Sequence, residues 1–203
     1  MSQAVLRASD ITTDHVAYAA RRQEVFSRLV PLRRERRLRL GDLLALEFEN
    51  AETLQIQVQE MVYVERLIQP QDVEHEIDAY SRLLPASHSL VATLLVELDD
   101  PEVIRETLAD LEGIQRAIRL RVGSGAEAAD ITAVEIPGPD EDPDAPSETV
   151  SVHMLRFALT DDQRDAFRDP AVPAEVVVDH PAYADATPIS GATRLALLAD
   201  LAL

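Results

Sequence analysis

The chain contains no cysteine and no lysine, and these two absences exclude several kinds of chemistry. Without cysteine there is no disulfide, no thiolate zinc site, no cysteine-ligated iron–sulfur cluster and no thiol nucleophile. Without lysine there is neither a Schiff-base intermediate nor the phosphate-binding lysine of a P-loop. The sequence also lacks a GxSxG elbow, an HExxH motif and a glycine-rich phosphate loop. An enzyme built from this chain must therefore use histidine, carboxylates, tyrosine, serine, threonine or a metal.

Basic residues and long apolar runs are also scarce. The 203 residues include 37 acidic side chains and 19 basic ones, all arginine, so the net charge is −18 and the isoelectric point is near 4.5. This charge argues against nucleic-acid binding because it repels phosphates. No apolar stretch is long enough to span a bilayer, and the N-terminus lacks the pattern of a secretory signal. We therefore expect a cytoplasmic protein without a membrane partner.

The hydrophobic pattern predicts an α+β fold, a mostly antiparallel sheet of about six or seven strands with four or five helices packed on it. We expect a helical N-terminal segment over residues 1–37, in which Pro31 ends the helix, and a single domain over residues 38–203 with an acidic, proline-rich loop at 137–148. Strands are predicted for residues 38–49, 54–58, 89–98, 118–122, 130–136, 149–159 and 175–178, and later helices for 61–68, 72–84, 102–111, 160–167 and 190–201.

The stretch from Thr53 to Tyr80 is the centre of this interpretation. Apolar residues alternate with glutamines over residues 54–58, which is the period of a half-buried strand. From Glu60 onward the apolar residues recur at helical spacing. The chain is thus predicted to change from strand to helix at Gln59 and Glu60. Binding groups often lie at such junctions, which makes Glu60 a candidate site residue.

A patch of positive charge precedes this stretch. Five arginines occur within seven residues, and we call them the arginine patch: Arg33, Arg34, Arg36, Arg37 and Arg39. One interpretation is a set of ion pairs with carboxylates of the same chain or of a partner. The other is capture of an anionic ligand, for which the guanidinium group is well suited.

Two histidines are candidate metal ligands. His153 lies within a predicted strand, and His180 follows another strand directly, between Asp179 and Pro181. Together with Glu60 they would form a set of two histidines and one carboxylate, which suits iron, manganese or zinc. The alternative is a hydrogen-bonded structural role for both histidines. Only the fold decides whether these distant residues meet.

Two further arginines, Arg66 and Arg156, are candidates for holding a carboxylate or a phosphate. The alternative for Arg156 is a salt bridge to Glu60 or Glu65. The predicted ligand-binding residues are, in full, Gln59, Glu65, Arg66, Tyr80, Arg156 and Asp179.

Several short motifs occur in a characteristic order, namely QEMxxxER from Gln59, VHxLRF from Val152 and VDHPxY from Val178. In this order the sequence resembles an uncharacterised bacterial family, a domain of unknown function of about this length. The resemblance covers the chain from about Leu38 onward. Members of the family are often encoded near rubrerythrin-like and iron–sulfur proteins, so the resemblance implies a redox or iron-linked setting with such proteins as partners. The sequence departs from the family pattern in the acidic 137–148 loop and in His75 and His88, and the resemblance assigns no function to these two histidines.

These observations support two hypotheses about function. In the first, the protein binds a transition metal of the non-haem iron type and is a component of a redox system. In the second, it is a non-enzymatic accessory protein that docks onto a rubrerythrin-like or iron–sulfur oxidoreductase through the arginine patch and its acidic faces. A homo-oligomer is compatible with either hypothesis, and neither specifies a reaction.

Overall fold

The computed structural model describes residues 5–98, 101–138 and 150–201, which contain six α-helices and nine β-strands. The helices are α1 (His15–Arg36), α2 (Ala51–Val64), α3 (Pro70–Ser81), α4 (Pro101–Asp110), α5 (Asp161–Arg168) and α6 (Gly191–Asp200). The strands are β1 (Arg37–Leu40), β2 (Leu44–Phe48), β3 (Ser89–Val96), β4 (Ile118–Val122), β5 (Ala129–Thr132), β6 (Val134–Glu135), β7 (Val152–Ala158), β8 (Ala174–His180) and β9 (Tyr183–Pro188). No helix within these ranges has the length and apolar character needed to cross a membrane.

The strands form two sheets in which every pairing is antiparallel. One sheet has five strands in the order β1-β2-β3-β7-β6, and the other has four in the order β5-β4-β8-β9. This arrangement confirms the predicted α+β class. The strands are more numerous than expected and are divided between two sheets.

Two hydrophobic clusters lie on opposite faces of β3. The larger cluster contains Leu94 of β3 and joins residues of both sheets, among them Leu120 and Val176. The smaller cluster contains Val91 of β3 and the apolar sides of α2 and α3, including Val58 and Ile77. Because β3 is buried on both faces, it needs a nearly continuous apolar sequence, and this confirms its prediction as a central strand.

The predicted strand at residues 54–58 is wrong, because these residues belong to α2. The side chain of Asn50 accepts a hydrogen bond from the Thr53 amide at 2.9 Å, and the Thr53 hydroxyl accepts one from the Asn50 amide at 2.9 Å. This reciprocal capping box starts a helix. Apolar residues four positions apart, at Leu54, Val58 and Val62, are then fully buried. Leu54 and Val58, which alternate with glutamines in the sequence, therefore lie on the buried face of a helix.

The prediction that Pro31 ends the first helix is also wrong, since α1 continues to Arg36. A proline inside a helix removes one backbone hydrogen bond and costs roughly 3 kcal/mol. Buried side chains on both sides of Pro31, Leu29 and Arg36, hold the helix against the rest of the protein. Tertiary contacts thus outweigh the local signal.

Three other segments differ in detail from their predictions. Residues 38–49 form the hairpin β1–β2, which turns at Gly41, where φ is +65°. Residues 130–136 are divided between β5 and β6, which lie in different sheets. Residues 183–188, which carried no strand prediction, form the edge strand β9. Of the predicted acidic loop at 137–148, residues 139–148 lie outside the described ranges.

Candidate functional site

Glu60 lies on α2 and binds residues of α1. The Tyr18 hydroxyl donates to Oε1 of Glu60 at 2.6 Å, and Arg22 donates from Nε at 3.1 Å and from Nη2 at 2.8 Å. Burial raises the pKa of Glu60, but the hydrogen bonds from Arg22 and Tyr18 outweigh it, so the pKa lies below its ordinary value. The predicted salt bridge from Arg156 to Glu60 is not formed. Its place is taken by Arg22.

Aromatic rings surround this ion pair. The guanidinium carbon of Arg22 lies 4.9 Å from the ring centre of Phe26 and 5.3 Å from that of Tyr63. Burial raises the pKa of Tyr18, and the hydrogen bond to Glu60 raises it further. The phenol therefore stays protonated and remains a donor at neutral pH. These contacts therefore hold α1 against α2, and both carboxylate oxygens of Glu60 accept hydrogen bonds from α1.

Gln59 has a similar structural role. Its side-chain oxygen accepts from the Thr12 amide at 2.8 Å, and its nitrogen donates to the Thr12 carbonyl at 3.0 Å. This pair of bonds holds the segment before α1 against α2. Gln59 is buried, and both ends of its amide are engaged.

Arg66 and Glu65 lie at the C-terminal end of α2. Arg66 has a φ of 57°, and the amide after it, that of Leu67, donates to the carbonyl of Val62 at 3.0 Å. This is the backbone pattern of a Schellman motif, in which a residue in the left-handed region ends the helix. The backbone of Arg66 therefore has a structural function. Glu65 is exposed beside it.

His153 lies on β7 and points into the larger core cluster, where it is 2 % exposed. Its Nδ1 lies 2.6 Å from Oε1 of Glu135, and the Gln115 side-chain nitrogen donates to Oε2 of Glu135 at 3.1 Å. The other ring nitrogen, Nε2, is buried and has no hydrogen-bond partner in the described part of the chain.

His180 is the last residue of β8 and lies near the surface. Its Nε2 lies 2.9 Å from the carbonyl oxygen of Glu112. Asp179 does not contact His180 through its carboxylate. It accepts instead from Arg119 at 2.6 Å. Both residues therefore have partners on neighbouring elements.

The three predicted metal ligands do not share a site. Glu60 is on α2, His153 on β7 and His180 at the end of β8, and each contacts a different partner. Across residues 5–98, 101–138 and 150–201, no three histidine, aspartate or glutamate side chains are placed to hold a metal ion together.

The arginine patch is largely paired with carboxylates of the same chain. Arg36 makes two hydrogen bonds to Asp200, of 2.7 and 3.0 Å, and both side chains are buried. Arg37 pairs with Glu47, which also lies 3.4 Å from Arg33. The exposed arginines of the patch are Arg34 and Arg39. The structure therefore favours internal ion pairing over anion capture for most of the patch.

A cavity of about 260 Å³ lies between α3 and the segment β6–β7, and we call it the α3–β7 cleft. The helix and the residues just after it contribute polar and apolar side chains, and the sheet side contributes mainly apolar ones. The lining residues that matter below are His75, Glu76, Ala79, Tyr80, Arg82, Leu83, Ile136 and Met154. Tyr80 is the residue of the predicted ligand-binding set that lines this cleft.

Tyr80 is half-buried, and its hydroxyl has no hydrogen-bond partner within the described residues. Burial raises the pKa of Tyr80, and the negative charges of Glu76, Glu49 and Glu65 raise it further. The phenol is therefore protonated at neutral pH and available as a donor.

Glu76 is half-buried on the wall of the cleft and, in the described part of the chain, has neither an ion pair nor a hydrogen bond. Burial raises its pKa, the charge of Glu65 raises it further, and His75 lowers it.

Near the cleft lies a second carboxylate, with which no cation in the described part of the chain forms an ion pair. Glu49 is 3 % exposed and accepts hydrogen bonds from the hydroxyls of Thr53 and Thr93, both at 2.6 Å, and from the Gln57 amide at 3.1 Å. The Thr93 hydroxyl also lies 3.3 Å from the sulfur of Met154, which lines the cleft.

Arg156 contacts the cleft indirectly. Its Nη2 donates to the backbone carbonyl of Arg82 at 2.6 Å, and Nε of Arg82 lies 3.4 Å from the carbonyl of Ala79. Arg156 thus holds the chain at the end of α3. The Arg82 side chain is exposed, and water screens its charge.

Sequence reasoning found Tyr80 but missed Glu76 and Met154. The signal for Glu76 was present, since Glu76, Tyr80 and Leu83 are spaced four and three residues apart on one helix face. Glu76 carries no site prediction, because acidic residues are abundant in this chain and one of them does not mark a site. No local pattern connects Met154 with α3.

Comparison with protein families matches residues 5–201 to a family described as "Protein of unknown function (DUF3501)". The chain belongs to the DUF3501 family. A crystal structure of a "novel protein of unknown function" from Burkholderia pseudomallei is 30% identical to it, with a TM-score of 0.87, and the match covers 97% of this chain and 99% of that one. Among curated proteins, no match is found.

The DUF3501 assignment confirms the resemblance inferred from the motif order. In this DUF3501 chain, most of the motif residues that were predicted to bind ligands are engaged in internal contacts. Gln59 and Glu60 fasten α2 to the N-terminal segment, and Arg66 ends α2. Among the residues predicted to bind ligands, Tyr80 is the one that lines the α3–β7 cleft.

Proposed function

We propose that this DUF3501 protein binds a small organic molecule in the α3–β7 cleft. The observation that supports the proposal is a cavity of about 260 Å³ lined by Tyr80, whose hydroxyl has no hydrogen-bond partner among the described residues. Ligand sites are concave, mostly apolar and equipped with a few polar groups that fix orientation. The cleft has this composition.

The size of the cavity limits the ligand to a small molecule. At about 30 Å³ for each water molecule in the liquid, the volume corresponds to roughly nine waters. Leu83, Ile136 and Met154 supply apolar wall, and the flexible thioether of methionine adapts to irregular shapes. Tyr80 and Glu76 supply the polar contacts.

Methionine NMR tests the proposal directly, because Met154 lines the cleft and Met61 does not. The full-length protein, labelled with methyl-¹³C methionine, is titrated with a library of small cationic, anionic and neutral compounds at millimolar concentration. We expect at least one compound to shift the Met154 methyl signal saturably and to leave the Met61 signal in place.

A pair of variants provides the control. Ala79→Leu adds a bulky side chain to the cleft, whereas Ala19→Leu adds the same group at an exposed position of α1 outside it. We expect the saturable shift to be lost in the first variant and retained in the second. If no compound shifts Met154, or if Ala79→Leu leaves the shift unchanged, the proposal is wrong.

Metal binding is a second candidate, and one observation favours it. The Glu135 carboxylate holds Nδ1 of His153 while Nε2 is unpartnered, which is how metal-bound histidines are commonly oriented. Elemental analysis of untagged protein loaded with iron, manganese or zinc tests it, with about one equivalent expected and its loss expected in His153→Gln. Trace metal alone would contradict the hypothesis.

A docking function through the arginine patch has less support. Three of its five arginines pair with carboxylates of the same chain, so their charges are not presented to a partner. The association with rubrerythrin-like or iron–sulfur proteins stays a prediction from the family resemblance. Co-purification with such proteins at low and high salt would test it.

A further inference from the structure

We infer that the α3–β7 cleft selects an organic cation, a compact molecule that carries an ammonium group, in preference to a neutral or anionic ligand of the same shape. This inference rests on the proposed function and adds the chemical class of the ligand. It follows from which charged groups face the cavity and which of them already have partners.

The carboxylate of Glu76 is the first reason. It lines the cleft, it is half-buried, and among the described residues no cation or donor contacts it. A partly dehydrated carboxylate without a partner is stabilised by a cation that comes to lie beside it, because the attraction is weakly screened there. An anionic ligand would instead be repelled by the same group.

The negative charge continues behind and beside the cavity. Glu49 is buried, and its bonds come from neutral hydroxyl and amide donors, so no cation among the described residues pairs with it. Glu65 raises the pKa of both Glu76 and Tyr80, but it is exposed and water screens its charge, so Glu76 and Glu49 are the main sources of negative charge at Tyr80. The field at Tyr80 is therefore negative from several directions.

The basic groups near the cleft do not cancel this field. Arg82 and His75 line it with exposed side chains, so water weakens their interactions, and the effect of His75 on the pKa of Glu76 is smaller than those of burial and of Glu65. Nη2 of Arg156 donates a hydrogen bond to the backbone carbonyl of Arg82. Neither arginine contributes to the pKa shifts of Glu76 or Tyr80.

The remaining wall also suits an ammonium group with an apolar body. The ring of Tyr80 has a negative face that attracts cations, an interaction that strengthens when the cation loses water. Leu83 and Met154 offer apolar contact for the body of the ligand.

Two matched sets of probes test the inference in the labelled full-length protein. The first set is choline, its uncharged isostere 3,3-dimethylbutan-1-ol and the anion 3,3-dimethylbutanoate. The second is n-butylammonium, n-butanol and butanoate. Affinity is read from the saturable shift of the Met154 methyl signal. We expect at least one cation to bind tenfold or more tightly than its neutral and anionic counterparts.

Two variants of equal charge change locate the effect. Glu76→Gln removes the carboxylate in the cleft, and Glu74→Gln removes an exposed one on the same helix that does not line it. We expect the preference for the cation to fall to less than threefold in the first variant and to persist in the second. Circular dichroism checks that both variants fold.

The outcomes separate this inference from the proposed function. If the neutral or anionic probe shifts Met154 as strongly as the cation, or if Glu76→Gln keeps the preference, the cation inference is wrong and the ligand site stands. If no probe and no library compound shifts Met154, both are wrong. A preference that Glu74→Gln abolishes would also overturn the inference, because it would reflect overall charge.

Discussion

Asp200→Ala removes the counter-charge of a buried arginine, and we expect it to lower the free energy of unfolding by about 3–5 kcal/mol. Arg36 at the end of α1 and Asp200 at the end of α6 are joined by two hydrogen bonds of 2.7 and 3.0 Å, with side chains only 5 % and 6 % exposed. Without the carboxylate, the guanidinium would remain in a dry environment with no partner for its charge.

The size of this effect follows from the burial. A typical domain is stable by only about 5–15 kcal/mol, so the loss is a large share of the total. For a chain of this length it corresponds to a fall in melting temperature of about 6–20 °C. Burial raises the pKa of Asp200 even though Arg36 opposes the rise, so stability is measured at pH 7, well above the ordinary carboxyl value of 3.8.

Urea unfolding of four proteins separates the pair from its surroundings. The set is the wild type, Asp200→Ala, Arg36→Met and the double variant. We expect the double variant to be about 2–3 kcal/mol more stable than the sum of the single effects predicts, because no unpaired charge remains in it. Glu52→Ala is the control, since the Arg28–Glu52 pair is exposed and is worth less than about 1 kcal/mol.

The reasoning is refuted if Asp200→Ala costs no more than Glu52→Ala. It is also refuted if the two single effects add without coupling. Either result would mean that water reaches Arg36, and the division of the arginine patch into paired and exposed members would have to be revised.

Three further predictions concern the backbone and pH. Gly41→Ala should destabilise the protein by about 1–3 kcal/mol, because φ is +65° and a Cβ would collide with the Tyr183 hydroxyl. Gly125 also has a positive φ but faces open space, so Gly125→Ala should cost less in the same thermal melts. Arg66→Gly should raise the melting temperature by a few degrees, because glycine adopts a φ of 57° without strain; a lower value would contradict the helix-ending function. Because the pKa of Glu60 is lowered in the folded protein, its contribution to the free energy of unfolding is complete above the ordinary carboxyl value of 4.5 and is lost on acidification below it. The difference in stability between the wild type and Glu60→Gln should therefore shrink below that pH, and a constant difference would refute this.

Elements with one unambiguous local pattern were predictable from the sequence. The apolar run of β3 and the single apolar face of α3 led to correct assignments because each pattern fits one structure only. In α2, Leu54 and Val58 satisfy both the alternation of a strand and the spacing of a helix. The capping box formed by Asn50 and Thr53 starts a helix at this point, and this local signal distinguishes the helix from a strand.

The candidate site was predictable only in part. Tyr80 is among the predicted ligand-binding residues, whereas Glu76 and Met154 are not, and Met154 is more than seventy residues further along the chain. The predicted trio of Glu60, His153 and His180 fails to meet because residues on α2, β7 and β8 have no reason in the local sequence to converge. Such proximity arises from strand order.

The sequence by itself determined the class of the protein. Its hydrophobic periods specify α+β structure, the absence of cysteine and lysine excludes whole classes of chemistry, and the motif order specifies the family. Only the tertiary structure decided which charges are neutralised and which remain available. Most of the arginine patch forms ion pairs with carboxylates of the same chain. Glu76, which lines the cleft with Tyr80, forms no ion pair among the described residues. The physical reason is that ion pairing depends on distances of a few ångströms, and packing sets these between residues far apart in the chain.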